Sequence, residues 1–301
     1  MKVFALGSEG SFTSQVADEL NQQQFGGHLR IVLRFSNVGA LKSLLDPEEV
    51  LGALAVVPVR NSIEGPVKDV VRFWEGHGEN YWEKLDQWHW LQVIKQIDLP
   101  IHQNLLVRPG VSLGNIQQVL SHPQGLAQCE ETLTSLGIPY ESRKTVQSTA
   151  LAAKMISQDD ACARSAAVGP RACAAMYGLE VIRENIEDVP GNETRFHLVV
   201  NAPQAPFPSA NAVWWKMALV WTLENAPGAL YRTLKVIEEA GLNMEFITSI
   251  QSGNGLNSVL FYVEMEAPPQ KKEQNSLLAS LKSVTQKAVC LGVFPETFTI
   301  E

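Results

Sequence analysis

Asn192-Glu193-Thr194-Arg195-Phe196 is the most chemically suggestive block of this chain: a weak hydroxyl acid, a guanidinium and an aromatic ring side by side, just after the acidic stretch Asn185-Ile186-Glu187-Asp188. Three polar blocks precede it: Gly7-Ser8-Glu9-Gly10-Ser11-Phe12-Thr13, Pro58-Val59-Arg60-Asn61-Ser62-Ile63-Glu64-Gly65 and Ser121-His122-Pro123-Gln124. Each falls where the residue pattern ends a strand and begins a helix. A helix N-terminus offers unpaired N–H groups and partial positive charge, so a small anion fits there without a lysine. Ser11 and Thr13, Ser121, and Ser148-Thr149 add hydroxyls at such points, and Asn61 and Ser62 follow a buried strand at its carboxyl end, where α/β sheets place ligands. Together they predict a polar cleft for a small, oxygen-rich, carboxylated compound. For any one serine, the plainer account is a helix cap.

The elements that must position these residues follow an α/β rhythm. Val3–Leu6 and Ile31–Phe35 are expected strands, and Ser14–Leu20 is a short helix. Ser36 is placed to cap a helix carrying Leu41, Leu44 and Leu45. Ala53–Val59 is the apolar run of a strand buried on both faces. Pro66 fits the first position of a helix whose Val67, Val70, Val71 and Trp74 share a face. The Trp-rich stretch Tyr81–Leu91 is expected to be an irregular hairpin covering a core edge. Ser121 is expected to cap a helix from Pro123 with Leu126, Cys129, Leu133 and Leu136 inward. On that helix Gln128, two turns beyond Ser121, shares its side. Ser148 caps another through Ile156; Ala161–Val168, Leu179–Ile182 and Phe196–Val200 are strands around a helix at Pro170–Tyr177. After the Pro- and Ala-rich Asn201–Asn211 comes a βαββαβ unit. Its strands are Lys216–Leu223, Glu245–Gln251, an alternating run through Met265 and a last one. Its helices carry Leu230, Leu234 and Ile237, then Leu277, Leu281, Val284 and Ala288, and a hairpin turn opens at Gly253-Asn254-Gly255.

Composition narrows the class. At 301 residues there is length for two or three domains with real cores. A net charge of −8 argues against nucleic acid or an anionic membrane as partner. No apolar run is long enough to span a bilayer, and the first seven residues are too short for a signal peptide and fit a first strand. The scattered cysteines 129, 162, 173 and 290 suggest reduced, buried thiols and a cytoplasmic home. The six histidines have no metal-ligand spacing, so no metal is expected.

The ordered set Leu6-Gly7…Gly10-Ser11-Phe12-Thr13, Pro58…Asn61-Ser62-Ile63-Glu64-Gly65, Ser121-His122-Pro123-Gln124…Ala127-Gln128-Cys129, Ser148-Thr149, Tyr177-Gly178-Leu179 and Asn192…Thr194-Arg195-Phe196 resembles the prephenate dehydratases. Pro227-Gly228-Ala229-Leu230-Tyr231 resembles the effector loop of their C-terminal ACT domain. The resemblance implies a two-lobed α/β catalytic domain (periplasmic-binding-protein-like) over residues 1–200, a linker over 201–213 and a ferredoxin-like ACT regulatory domain over 214–301. It also implies cofactor-free conversion of prephenate to phenylpyruvate. The matched catalytic residue is Thr194, a positioned donor to the departing ring hydroxyl. Ser11, Thr13, Asn61, Ser62, Ser121, Gln128, Ser148, Thr149, Arg195 and Phe196 are the matched substrate-binding residues. On an extended segment Phe196 shares the face of Thr194, while Arg195 points oppositely and braces the site from behind. L-Phenylalanine is the implied effector, at Asn225, Ala226, Gly228, Ala229 and Leu230, and a homodimer or homotetramer the implied assembly.

Two departures stand out. Arg60 replaces the family's usual Glu, with three readings open: a solvent-facing change, an extra cation for a dianionic substrate, or altered substrate choice. The family's Glu-Ser-Arg-Pro motif aligns with Thr248-Ser249-Ile250-Gln251, so only the serine is shared. The rival functions are an arogenate dehydratase, decarboxylation without loss of water, and a non-catalytic sensor of aromatic compounds.

Overall fold

The computed structural model describes residues 2–34, 36–46, 53–75, 91–201, 215–252, 257–295 and 298–300. The expected Trp-rich hairpin, the Gly253 turn and the linker lie outside the described residues, except for their end residues Leu91 and Asn201. In chain order the elements begin β1 (Lys2–Leu6), α1 (Phe12–Phe25), β2 (Arg30–Arg34), α2 (Asn37–Ser43), β3 (Ala53–Asn61), β4 (Gly65–Pro66), α3 (Lys68–Glu75), β5 (Leu91–Pro100) and β6 (Asn104–Val107). There follow β7 (Gln118–Ser121), α4 (Pro123–Ala127), α5 (Glu130–Ser135), β8 (Arg143–Thr145), α6 (Thr149–Gln158), β9 (Ser165–Gly169), α7 (Arg171–Tyr177), β10 (Glu180–Arg183) and β11 (Glu193–Asn201). The last are β12 (Trp215–Glu224), α8 (Ala229–Glu239), β13 (Met244–Gln251), β14 (Ser258–Glu266), α9 (Lys271–Val284), β15 (Lys287–Pro295) and β16 (Phe298–Thr299).

Two units emerge from the backbone contacts. One comprises Ala5–Ser36, Leu99–Thr194 and Ile300–Glu301. Its sheet has the order β10-β6-β9-β7-β8. Strand β7 runs parallel to β8 and β9, whereas β6 runs antiparallel to β9 and β10. Alternation explains why the central residues of β6, β7 and β9 are apolar on both faces. Leu106, Leu120 and Ala167 turn to α6 and α7, where Ala150, Ala152, Ala153 and Ile156 meet them. Leu105, Val107, Val119, Ala166 and Val168 turn to the other face, onto Leu126, Cys129, Leu133 and Ile138. Helices on both faces leave no room for a polar side chain at these central positions.

The other unit comprises Met1–Phe4, Asn37–Asp98 and Arg195–Thr299. One of its sheets carries the order β16-β5-β11-β3-β1, with β4 paired to β3. The second has the order β13-β14-β12-β15, all pairs antiparallel, in a βαββαβ chain order. Met217, Leu219, Trp221 and Leu223 face α8 and α9 together with Val263 and Met265. The opposite face is buried as well, through Ala218, Val220, Leu260 and Tyr262. There Gly292 lies so close to Val93 of β5 that no side chain fits between them.

Several sequence expectations shift. Helix α1 starts earlier and runs past Leu20 through three glutamines to a left-handed Gly26, because glutamine propagates a helix without needing an apolar face. Pro66 pairs with Arg60 in β4, so α3 starts only at Lys68, and the Asn61 block leads into a strand rather than a helix. The helix expected from Pro123 breaks at Gln128, because the Asp188 carboxylate accepts from Glu131 N at 2.9 Å and Thr132 N at 2.8 Å and caps a new helix there. Asp160–Cys162 is a 3-10 turn ahead of β9, and Ala288 belongs to β15, not to α9. Strands β5, β6 and β16 had no counterpart in the sequence expectations.

Candidate active site

The carboxyl ends of parallel strands β7 and β9 bring together residues far apart in sequence. Ser121 ends β7, fully buried, and its hydroxyl donates to Val168 O at 2.7 Å. It is not the helix cap: His122 takes that position, and its Nδ1 accepts from Gln124 N at 3.3 Å. Ser148 does cap, with Oγ accepting from Leu151 N at 3.0 Å at the head of α6. A Cβ on Gly125 would lie 2.7 Å from Ser121 Oγ and 3.4 Å from Thr149 Cγ2; one on Gly169 would lie 3.4 Å from Thr149 Cβ. Ser121, Gly125, Thr149 and Gly169 therefore meet at one point, beside the capped N-terminus of a ten-residue helix. Gly125 is needed for room, since its backbone is not left-handed, whereas a Cβ on Gly169 would make only an ordinary contact. Such a point favours a carboxylate.

Gln128 sits at the helix break, its Oε1 accepting from Gln103 Nε2 at 3.1 Å, while its backbone oxygen accepts from Asp188 N at 2.7 Å. Burial pushes the Asp188 carboxyl up, but backbone N–H groups of Glu131 and Thr132 outweigh it and hold the group below its ordinary value. Ser11 caps α1, accepting from Ser14 N at 3.3 Å and donating to Leu6 O at 3.3 Å, and Thr13 is buried in the first turn. This loop is tied to α7, where the Cys173 thiol donates to Gly10 O and the Tyr177 hydroxyl to Glu9 O. Burial raises the Cys173 thiol to about 12 and raises Cys129 further, so neither is a thiolate near neutrality. Thr194 lies half-buried on β11.

Residues 3–204 match the family model "PDT: Prephenate dehydratase". The chain belongs to the prephenate dehydratase family. A Methanocaldococcus jannaschii protein named prephenate dehydratase is 34% identical over 245 residues, covering 80% of this chain and 81% of the relative. An Arabidopsis thaliana protein named arogenate dehydratase/prephenate dehydratase 2, chloroplastic, is 32% identical over 82% of this chain, which spans 62% of that relative's length. The crystal structure of a prephenate dehydratase from Arthrobacter aurescens in complex with L-Phe aligns at a TM-score of 0.80 and 27% identity, covering 98% of this chain and 90% of that one.

In the unit with β3 and β11, the family's Asn-Ser pair and Arg-Phe pair are differently engaged. Asn61 ends β3, and its Oδ1 accepts from Ile63 N at 3.0 Å and Glu64 N at 3.1 Å, fixing an Asx turn with Ser62 exposed at its tip. Phe196 is buried in the core. Arg195 is clamped: Nε and Nη2 donate to Asp98 at 2.7 and 2.6 Å, and Nη1 to Glu264 at 2.5 Å. Arg60 has a partner that none of its three readings named. Its Nε lies 3.5 Å from Glu264, and its guanidinium sits 4.6 Å over the Phe246 ring. Behind them, His197 is fully buried and its pKa falls to about 3, through burial first and the positive Arg195 second. It is neutral, 3.1 Å from the Tyr262 hydroxyl, which donates to Glu264 Oε1 at 2.7 Å. Sequence reasoning missed Asp98, His197, Tyr262 and Glu264; an acid and a polar ring inside apolar strands were the available signal.

The expected effector residues form the turn from β12 into α8. Asn225 N donates to Asn257 O at 2.7 Å and Ala226 N to Glu224 O at 2.8 Å. Gly228 caps α8 with φ at 76°, a conformation that disfavours any side chain, and Ala229 is buried while Leu230 is half-buried. Thr248-Ser249-Ile250-Gln251 lies along edge strand β13. Among the described residues no group of three His, Cys, Asp or Glu side chains could hold a metal ion, and no helix is long and apolar enough to cross a membrane.

Proposed function

We propose that this chain converts prephenate to phenylpyruvate, acting as a carbon–oxygen lyase, and that Thr194 assists departure of the ring hydroxyl. The substrate dianion and one proton give the phenylpyruvate monoanion, carbon dioxide and water. Aromatisation drives the reaction, so no cofactor is called for. The barrier lies in the leaving hydroxide, which needs a donor as the C–O bond breaks. A threonine hydroxyl is too weak an acid to be the ultimate proton source, so Thr194 acts as an oriented donor in a relay.

The observation that carries this reading is the meeting of Ser121, Gly125, Thr149 and Gly169 beside the capped start of α6. Helix N–H groups and small hydroxyl residues at a sheet's carboxyl edge suit a substrate carboxylate. Ser148 and Thr149 hold that carboxylate, Ser121 and Gln128 bind the remaining oxygens, and Ser11 and Thr13 add donors from the start of α1. Oriented donors that meet developing charge supply much of the rate.

Residues 1–200 form the catalytic part in this reading and 214–301 an ACT-type regulatory part that binds L-phenylalanine at the Gly228 loop and pairs subunits into a homodimer or homotetramer. The L-Phe in the Arthrobacter aurescens crystal supports that effector. The buried thiols support a cytoplasmic setting. Arogenate is the second substrate to test, since the Arabidopsis relative carries both names. Purified protein is incubated with each compound and the products identified by mass spectrometry. Phenylpyruvate from prephenate supports the proposal; phenylalanine from arogenate alone moves the preference; consumption of neither overturns it.

A further inference from the structure

We propose that Glu264 and Asp98 are positioning residues for this reaction: they clamp the Arg195 guanidinium from two sides and so fix the stretch of β11 on which Thr194 immediately precedes it. The inference rests on the proposed role of Thr194. Four charged side chains from four strands meet here: Asp98 on β5, Arg195 on β11, Arg60 on β3 and Glu264 on β14. Strands β5, β11 and β3 are successive neighbours in one sheet; β14 is an inner strand of the other. Side-chain exposure is 11% for Arg195, 9% for Asp98 and 2% for Glu264. Two cations and two anions balance, which is the condition for burying such groups at all.

The geometry constrains direction as well as charge. Asp98 takes the guanidinium through two parallel N–H bonds, a fork that sets its plane. Glu264 takes the remaining amino group and is itself fixed by the Tyr262 hydroxyl on its other oxygen. Tyr262 donates to Glu264, so the bond 3.1 Å from His197 runs from Nε2–H to the phenol oxygen, extending the network two residues further along β11. Beside Asp98, β16 pairs in parallel with β5, Thr299 opposite Asp98, and steadies that strand. Residues 195 and 197 are thus both held on one face of β11. Strand alternation puts Thr194 on the other face, and its placement is set by what holds its neighbours. A second tie, from the Ser252 hydroxyl just after β13 to the buried Glu75 carboxylate at the end of α3, adds another contact between the βαββαβ part and the rest of this unit. The βαββαβ sheet thereby has a direct hold on the strand of the proposed catalytic hydroxyl.

A misplacement of about 1 Å costs on the order of 100-fold in rate when reacting groups must be aligned. Glu264→Gln and Asp98→Asn are therefore expected to lower kcat about 10-fold or more, with KM within about twofold, because neither Glu264 nor Asp98 is a proposed substrate contact. Glu264→Asp keeps the charge but shortens the reach, and it decides the matter if the amide variants do not fold. Kinetics are measured on folded protein, checked by circular dichroism and gel filtration. A wild-type kcat in folded Glu264→Asp or Glu264→Gln overturns the inference, as does a change confined to KM. An inactive wild-type protein instead overturns the dehydratase reading on which the inference rests.

Discussion

Gly292→Ala tests how the four-stranded sheet is seated on β5. Gly292 has no left-handed backbone, so the only obstacle to a methyl group is space. That Cβ would press on the Val93 carbonyl oxygen, 2.8 Å from its carbon and 3.1 Å from Val93 Cα. These are backbone atoms in a paired strand and have no rotamer to yield. The β15 backbone must retreat by about 1 Å or more, at an overpacking cost of about 3 kcal/mol. Losing the entropy penalty of glycine in a strand returns about 0.5–1 kcal/mol. The net is about 2 kcal/mol, or a Tm lower by about 4–8 °C in a scanning fluorescence assay. Gly114→Ala is the control, since an added Cβ there meets nothing within 4 Å, and it should stay within about 0.5 kcal/mol. Because the displaced sheet carries Glu264, kcat should fall with the Tm. An unchanged Tm for Gly292→Ala would refute the close seating.

Ser148→Ala removes the cap of α6 and should cost about 1 kcal/mol, with a lower kcat/KM, read by thermal unfolding and steady-state assay. Asp188 has a folded pKa below its ordinary 3.8, so its stabilising effect is fully present above that value and is lost as pH falls through the folded pKa. Asp188→Asn should therefore be less stable than wild type at neutral pH, the gap closing on acidification; an equal gap at pH 2 and pH 7 would contradict this. Cys129 and Cys173 should resist a thiol reagent at pH 7.5 until the protein is unfolded, because burial keeps them protonated.

The sequence made the two-sided strands and the βαββαβ unit legible, because burial on both faces demands runs such as Ala53–Val59 and alternations such as Val259 to Met265. It also made the Ser148 cap legible, since capping is a local interaction. What escaped was long-range. The helix break at Gln128 is imposed by Asp188 through backbone bonds that no local pattern encodes. Ser121 has the composition of a cap, yet its hydroxyl is taken by Val168 on the neighbouring strand. Arg60 has three open readings in the sequence because its partner, Glu264, is about two hundred residues further along the chain.

The account turns on a single alcohol. Thr194→Val keeps the size and branching of the side chain and removes only the hydroxyl. The decisive measurement is the rate of phenylpyruvate formation from prephenate by wild-type protein and by this variant, at matched folded concentration. A kcat lower by about 100-fold or more, with KM little changed, is the expected result. Wild-type turnover in Thr194→Val would contradict the proposed mechanism.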